Sequence, residues 1–230
     1  MPDEKKPWRE IAQREAEVTK VDSPSQTNKG EAKSKLRREI ISGYIQDSLK
    51  CMENINNNEV EKIENIADIL IKAHDEGKQI FTLGNGGAAS VASHLAADLS
   101  KAWLGDRLMR LKAICLTDNV SLVTAWMNDA GYDYMFVGPL ENLLNSGDIV
   151  IGISASGNSK NVLNAIEYAN KRGAITVGFT GFDGGKLKGL AQHCFIVPSD
   201  SFKRVEDFHM ILGHMIKAVL VNEIKSRITS

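Results

Sequence analysis

His94 and Asp98 stand four residues apart in a stretch whose other positions, Ala92, Leu95, Ala96 and Leu99, are apolar. On a helix that spacing puts both on one face, and an imidazole beside a carboxylate can move protons or hold a cation. Near the carboxyl end a second helical pattern carries Glu206, His209 and His214. Glu206 and His214 lie ~80° apart around a helix axis, whereas His209 turns ~60° the other way. Either histidine can flank Glu206, but both can hardly face one site. Imidazoles and carboxylates from two helices would suit zinc or another borderline divalent ion. Spacing leaves the plainer alternative open, that these are exposed residues with no shared role.

Two loops complete the inventory. Gly84-Asn85-Gly86-Gly87-Ala88-Ala89 joins an apolar run to a helical one. Its glycines let the backbone approach a ligand, and the helix that follows favours an anion at its start. The segment also fits a relaxed dinucleotide fingerprint. The acidic residue such a site needs ~20 residues on should end the second strand, but the candidate there, Asp118, lies more than thirty residues past Gly84. Ser154-Ala155-Ser156-Gly157-Asn158-Ser159 follows the apolar run Ile149 to Ile153. Three hydroxyls and free N–H groups at a helix start make an anion cradle. Without the lysine of a nucleotide P-loop, it suits a sugar monophosphate and no nucleotide cofactor. An ordinary serine N-cap is the bland alternative. A third loop, Thr180-Gly-Phe-Asp183-Gly-Gly185, reads as a turn in which Asp183 caps the next short helix.

The elements that must position these groups alternate along the chain. Helical periodicity begins at Leu36 and continues through Ile40, Ile41, Tyr44, Ile45 and Leu49, with a second helix over Val60 to His74. Strands are expected at Gln79 to Leu83, Leu111 to Leu116, Ile149 to Ile153, Ile175 to Thr180 and Cys194 to Val197. Helices are expected at Ala88 to Trp103, Val120 to Asn128, Asn161 to Arg172 and Arg204 to about Lys225. Such alternation predicts an α/β fold with a parallel sheet covered on both faces, its ligands at the carboxyl ends of the strands. Residues 1–35, rich in Lys, Glu, Ser, Gln and Pro, read as a disordered arm, and residues 36–230 as one domain.

Composition narrows the class. The chain has 230 residues, 43% of them hydrophobic and 25% charged, with a net charge of -1, which gives no general footprint for nucleic acid or an anionic membrane. Cys51, Cys115 and Cys194 have no paired spacing and read as reduced core residues. No run approaches the ~20 apolar residues of a membrane span, and the start lacks the apolar core of a secretory signal. A cytoplasmic location is the expectation.

Taken together the motifs resemble the phosphoheptose isomerases. Gly84-Asn-Gly-Gly-Ala-Ala-Ser-Val-Ala-Ser-His94-Leu-Ala-Ala-Asp98 is similar to that family's first site motif. Trp126-Met-Asn128-Asp129, Ile153 to Ser159, Thr180 to Gly185 and Val197-Pro-Ser…Arg204-Val-Glu206…His214 follow in its order, so the resemblance spans Leu36 to Ile224. It implies a three-layer parallel-sheet sandwich of the sugar isomerase (SIS) type, flavodoxin-like or Rossmann-like, with an N-terminal helical pair. It also implies an enediol isomerisation of sedoheptulose 7-phosphate to D-glycero-D-manno-heptose 7-phosphate, in a homotetramer with shared active sites. By the same resemblance Asn85, Gly86, Gly87, Asn128, Asp129 and Glu206 would contact sugar, and Ser154, Ala155, Ser156 and Ser159 phosphate. His94, Asp98, Glu206 and His214 would hold a divalent metal, zinc in the first instance, with Asp98 and His214 as the acid/base pair. The alternatives are an isomerase of another sugar phosphate, or a non-catalytic tetrameric SIS-domain protein that binds phosphosugars or regulates replication initiation.

The sequence departs from the family pattern at four places. Ala88 and Ala155 each lack a hydroxyl. Asp98 stands where the family has glutamate and Glu206 where it has glutamine. Aspartate reaches roughly 1.5 Å less far, and a misplacement on the order of 1 Å can cost ~100-fold in rate. The expectation is that Glu206 compensates as a second carboxylate in the same cluster.

Overall fold

The computed structural model describes residues 29–55, 57–101 and 110–229. Its elements, in chain order, are α1 (Lys29–Glu53), α2 (Asn57–Asp75), β1 (Gln79–Gly84), α3 (Gly87–Lys101), β2 (Lys112–Cys115), α4 (Val120–Asp129), a 3₁₀ turn (Tyr132–Tyr134), α5 (Val137–Leu143), β3 (Ile149–Ile153), α6 (Lys160–Lys171), β4 (Ile175–Thr180), α7 (Leu187–Leu190), β5 (His193–Ile196) and α8 (Phe202–Thr229). The chain divides into two compact units, Met1–Gln46 and Asp47–Ser230.

Residues 1–28 of the expected arm lie outside the described residues, as does Trp103 at the expected end of α3. From Lys29 the chain is already helical, seven residues before the apolar periodicity begins. Glu31-Ala-Lys-Ser-Lys35 are mostly good helix formers with an acid in the first turn, which a search for apolar stripes passes over. Along α1, Ile40, Ile41, Tyr44, Ile45, Leu49 and Met52 are all exposed.

In the second unit the five strands form one wholly parallel sheet in the order β2-β1-β3-β4-β5. Alternate side chains enter two cores. Ile80, Ile149, Ile151, Val177 and Phe179 pack with Leu70 of α2, Val91, Leu95 and Leu99 of α3, and Phe208, Leu212 and Ile216 of α8. Phe81, Leu83 and Val150 pack on the opposite side with Phe136, Leu140, Val162, Ile166 and Leu187. Each such side chain, when fully buried, contributes about 1.5–3 kcal/mol. Burial on both sides explains why these strands read as continuous apolar runs without alternation. The result is the three-layer sandwich that the alternation of elements predicts.

The order reverses between β1 and β3. At such a switch point the outgoing loops part toward opposite faces and leave a crevice at the strands' carboxyl ends. The two loops that flank it are Gly84–Gly87 and Ser154–Ser159, the glycine and serine motifs.

Candidate functional site

The serine loop is built mainly from backbone. Ser154 N–H donates to the Phe179 carbonyl (3.0 Å), and Gly157 N–H donates to the Ser154 carbonyl (2.9 Å). Gly157 has φ +62°, and a Cβ there would lie 2.1 Å from the Gly184 carbonyl oxygen. A Cβ on Gly185 would lie 2.4 Å from the Ser156 carbonyl oxygen. The loop after β4 therefore lies flush against the serine loop and fixes its shape. Asn158 ties them further, its Oδ1 accepting from Lys186 N–H (3.2 Å). Asp183 makes the expected turn, accepting from Gly185 N–H (3.0 Å). It does not cap α7, which starts after Lys186 without a side-chain cap, because the tight approach of the two loops holds Asp183 at the turn.

Ser159 stands at the N-cap position of α6, yet its hydroxyl makes no capping bond. It accepts instead from the Ser154 hydroxyl (3.0 Å). The cap role thus goes unused while the Ser154 and Ser159 hydroxyls pair with each other, which fits an anion cradle better than a serine cap. The Ser156 hydroxyl accepts from Asn158 N–H (3.3 Å). Ala155 lends backbone alone, its carbonyl accepting from Gly181 N–H (2.9 Å), so the lost hydroxyl leaves the loop's frame intact.

Across the switch point, Asn85 and Asn161 exchange two side-chain hydrogen bonds of 2.9 Å each. Asn161, fully buried in the first turn of α6, escapes sequence reading because its partner lies far away in the chain. The pair joins the glycine loop to the serine loop. On the other flank, a Cβ at Gly87 would fall 2.3 Å from the Glu206 carboxylate. Glu206 thus projects from the first turns of α8 onto the start of α3. Burial, and secondarily the charge of Asp207, raise its pKa.

Farther along, α3 and α8 pack on each other, and Leu95, Leu99, Leu212 and Ile216 are buried in one core. Thr82 anchors α3 to the sheet, its hydroxyl donating to the Ala92 carbonyl (2.8 Å). At the rim of this packing His94 Nε2 lies 3.0 Å from His214 Nε2, with the rings edge to face. Asp98 Oδ2 is 3.5 Å from His94 Nε2 and 3.9 Å from His214 Nε2. Ligand-capable atoms of His94, Asp98 and His214 all fall within 4.8 Å of one another. Two imidazole nitrogens and one carboxylate oxygen so arranged fit a borderline divalent ion that completes its shell with water or substrate. Glu206 does not belong to this group of three. Eight residues before His214, it sits about 12 Å back along the helix, where it meets the glycine loop. Lys217 joins the group unannounced, its Nζ 2.5 Å from Asp98 Oδ1. Its place three residues past His214, on the same helix face, was the available signal.

His209 does not face this group. It is fully buried, its Nε2 3.2 Å from the Thr180 carbonyl oxygen, and burial pushes its pKa down to about 4. Asn128 and Asp129 are exposed at the end of α4, where Asn128 donates to Asp129 (2.7 Å).

The SIS domain family matches residues 43–181. The phosphoheptose isomerase of Sulfurimonas denitrificans is 38% identical over 189 residues, which are 81% of this chain and 96% of that protein. A probable phosphoheptose isomerase of Thermoplasma acidophilum is 40% identical over 177 residues, 77% of this chain and 95% of that one. The solved phosphoheptose isomerase of Neisseria gonorrhoeae superposes with a TM-score of 0.75 at 30% identity, covering 80% of this chain and 97% of its own. The serine loop at the switch point and the paired imidazoles between α3 and α8 thus sit on a shared scaffold: the chain belongs to the phosphoheptose isomerase family of SIS-domain proteins.

Proposed function

We propose that the protein interconverts sedoheptulose 7-phosphate and D-glycero-D-manno-heptose 7-phosphate through an enediol. The observation that carries this reading is the meeting of His94, Asp98 and His214 from two helices distant in sequence. An aldose–ketose exchange moves one proton between adjacent carbons and another between their oxygens. Asp98 takes the carbon-bound proton, and His214 serves the oxygens. The two facing imidazole nitrogens share one hydrogen bond, so one ring donates while the other accepts. The raised pKa of Glu206 favours a second acid/base role at the glycine loop, among the sugar hydroxyls. Asn85 and the Gly86 and Gly87 backbone, with Asn128 and Asp129, bind the sugar. Ser154, Ser156, Ser159 and the Ala155 backbone hold the phosphate, whose binding remote from the chemistry supplies positioning energy.

His94, Asp98 and His214 would hold a divalent ion, zinc by the softness of the imidazoles, and when bound it supplies Lewis-acid stabilisation of charge on a substrate oxygen. Glu206 can join them only if its side chain leaves Gly87. A homotetramer with shared sites is consistent with the six exposed apolar side chains of α1 and with the exposure of Asn128 and Asp129. No helix among the described residues is long and apolar enough to cross a membrane, which accords with a cytoplasmic location.

The test is to incubate the purified protein with sedoheptulose 7-phosphate and follow the anomeric proton of the aldose by NMR. Appearance of that signal supports the reading. Tight binding of the ketose without any aldose would overturn it in favour of a phosphosugar-binding regulator.

A further inference from the structure

Asp98 is held from two sides. Its Oδ2 faces the imidazoles of His94 and His214 at 3.5 and 3.9 Å, while its Oδ1 is 2.5 Å from Lys217 Nζ. The lysine stem lines a small cleft with Leu99, Leu111, Leu220, Val221 and Ile224, so apolar packing aims the ammonium. The side chain of Lys217 is 33% exposed and that of Asp98 17%. Such a half-shielded, charge-assisted hydrogen bond is stronger and more directional than an open surface pair.

We propose that Lys217 is a positioning residue of the active site, one that fixes the Asp98 carboxylate so that a single oxygen, Oδ2, serves the two histidines. The inference rests on the isomerase reading above for its catalytic consequence. An aspartate has little spare reach, so rotation about its carboxyl bond would carry either oxygen away from the imidazoles. An ammonium on Oδ1 suppresses that rotation. The same ammonium sets a positive charge beside the three groups, so an entering dication meets repulsion and a carboxylate already engaged on one oxygen. Lys217 therefore trades metal affinity for a fixed base.

Two readouts on the intact protein test this. Zinc affinity of the metal-free protein, measured by competition with a chromophoric chelator, should tighten about tenfold in Lys217→Met, from removal of a unit charge next to the site. In the same variant kcat should fall ~10–100-fold with KM little changed, as for loss of a group that orients a ligating or reacting side chain. Lys217→Arg, which keeps a cation able to reach a carboxylate oxygen, should recover most of kcat and hold zinc near the wild-type affinity. A purely structural role would move melting temperature without tightening zinc. Lys217→Met with wild-type kcat and wild-type zinc affinity overturns the inference, and so does weaker zinc binding. Absence of isomerase turnover in the wild-type protein would sink the isomerase reading instead, and the zinc comparison would still decide the placement of Lys217.

Discussion

The serine loop and the histidine cluster share a scaffold but are made of different material. The loop is drawn by backbone hydrogen bonds and by the mutual contact of two glycine-bearing turns. The cluster is drawn by side chains at the rim of two packed helices, with His94 and His214 about half exposed. A backbone-built site tolerates exchange of its side chains. A side-chain-built site feels each methylene. In keeping with that contrast, Ala155 lends the serine loop only its backbone, whereas the shorter Asp98 comes with a lysine braced against it.

The contrast can be broken first at the cluster, where the largest effects are expected. Asp98→Asn and His214→Ala should each lower kcat by ~10²–10⁴ with little change in phosphate-ester binding, the range for loss of a general acid or base. Steady-state kinetics with an inert sugar phosphate as competitor would separate the two quantities.

His209 offers a control on the same helix. Buried and neutral, it titrates near 4 in the folded protein against 6.5 when unfolded. Above pH 6.5 both states are uncharged and it contributes nothing to pH dependence. As pH falls from 6.5 toward 4, the unfolded chain gains a proton that the folded one refuses, so stability drops by roughly 3 kcal/mol over that window. Urea denaturation at pH 7 and pH 4.5 should show this slope flattened in His209→Gln. Equal slopes would mean that the imidazole is not shielded as described.

At the loop, Gly157→Ala should act through backbone. Its Cβ would collide with the Gly184 carbonyl at a positive φ, costing about 1–3 kcal/mol of stability. KM should rise with kcat largely kept, the reverse of the cluster variants. Glu206→Gln should be milder, with kcat reduced about tenfold if a raised-pKa carboxylate takes part in proton transfer. Activity equal to wild type would rule out its compensation for Asp98.

Much of this was legible in the sequence because it rests on local pattern. Apolar runs between helical periods gave the parallel sheet, and the four-residue step from His94 to Asp98 gave their shared helix face. The separation of His209 from His214 around α8 followed from helix geometry, and the structure points them apart. What stayed illegible depends on distant pairing. Asn161 gains meaning only from Asn85 across the switch point, and Lys217 only from Asp98 on another helix. The eight-residue step already sets Glu206 about two turns from His214, but its contact with Gly87 follows from how α8 crosses the start of α3, which no spacing within α8 reveals. The 3₁₀ turn and α5 were too short to show a period.

The central claim is that the groups meeting between α3 and α8 move a proton between adjacent carbons of a phosphorylated ketose. Incubation of sedoheptulose 7-phosphate with the protein in deuterated water, followed by NMR of the sugar's first two carbons, addresses it directly. The account predicts deuterium at C2 of the aldose and at C1 of the ketose in the wild type, and its loss in Asp98→Asn. Wild-type protein that forms no aldose and leaves C1 of the ketose fully protonated, or an Asp98→Asn variant that labels at the wild-type rate, would contradict it.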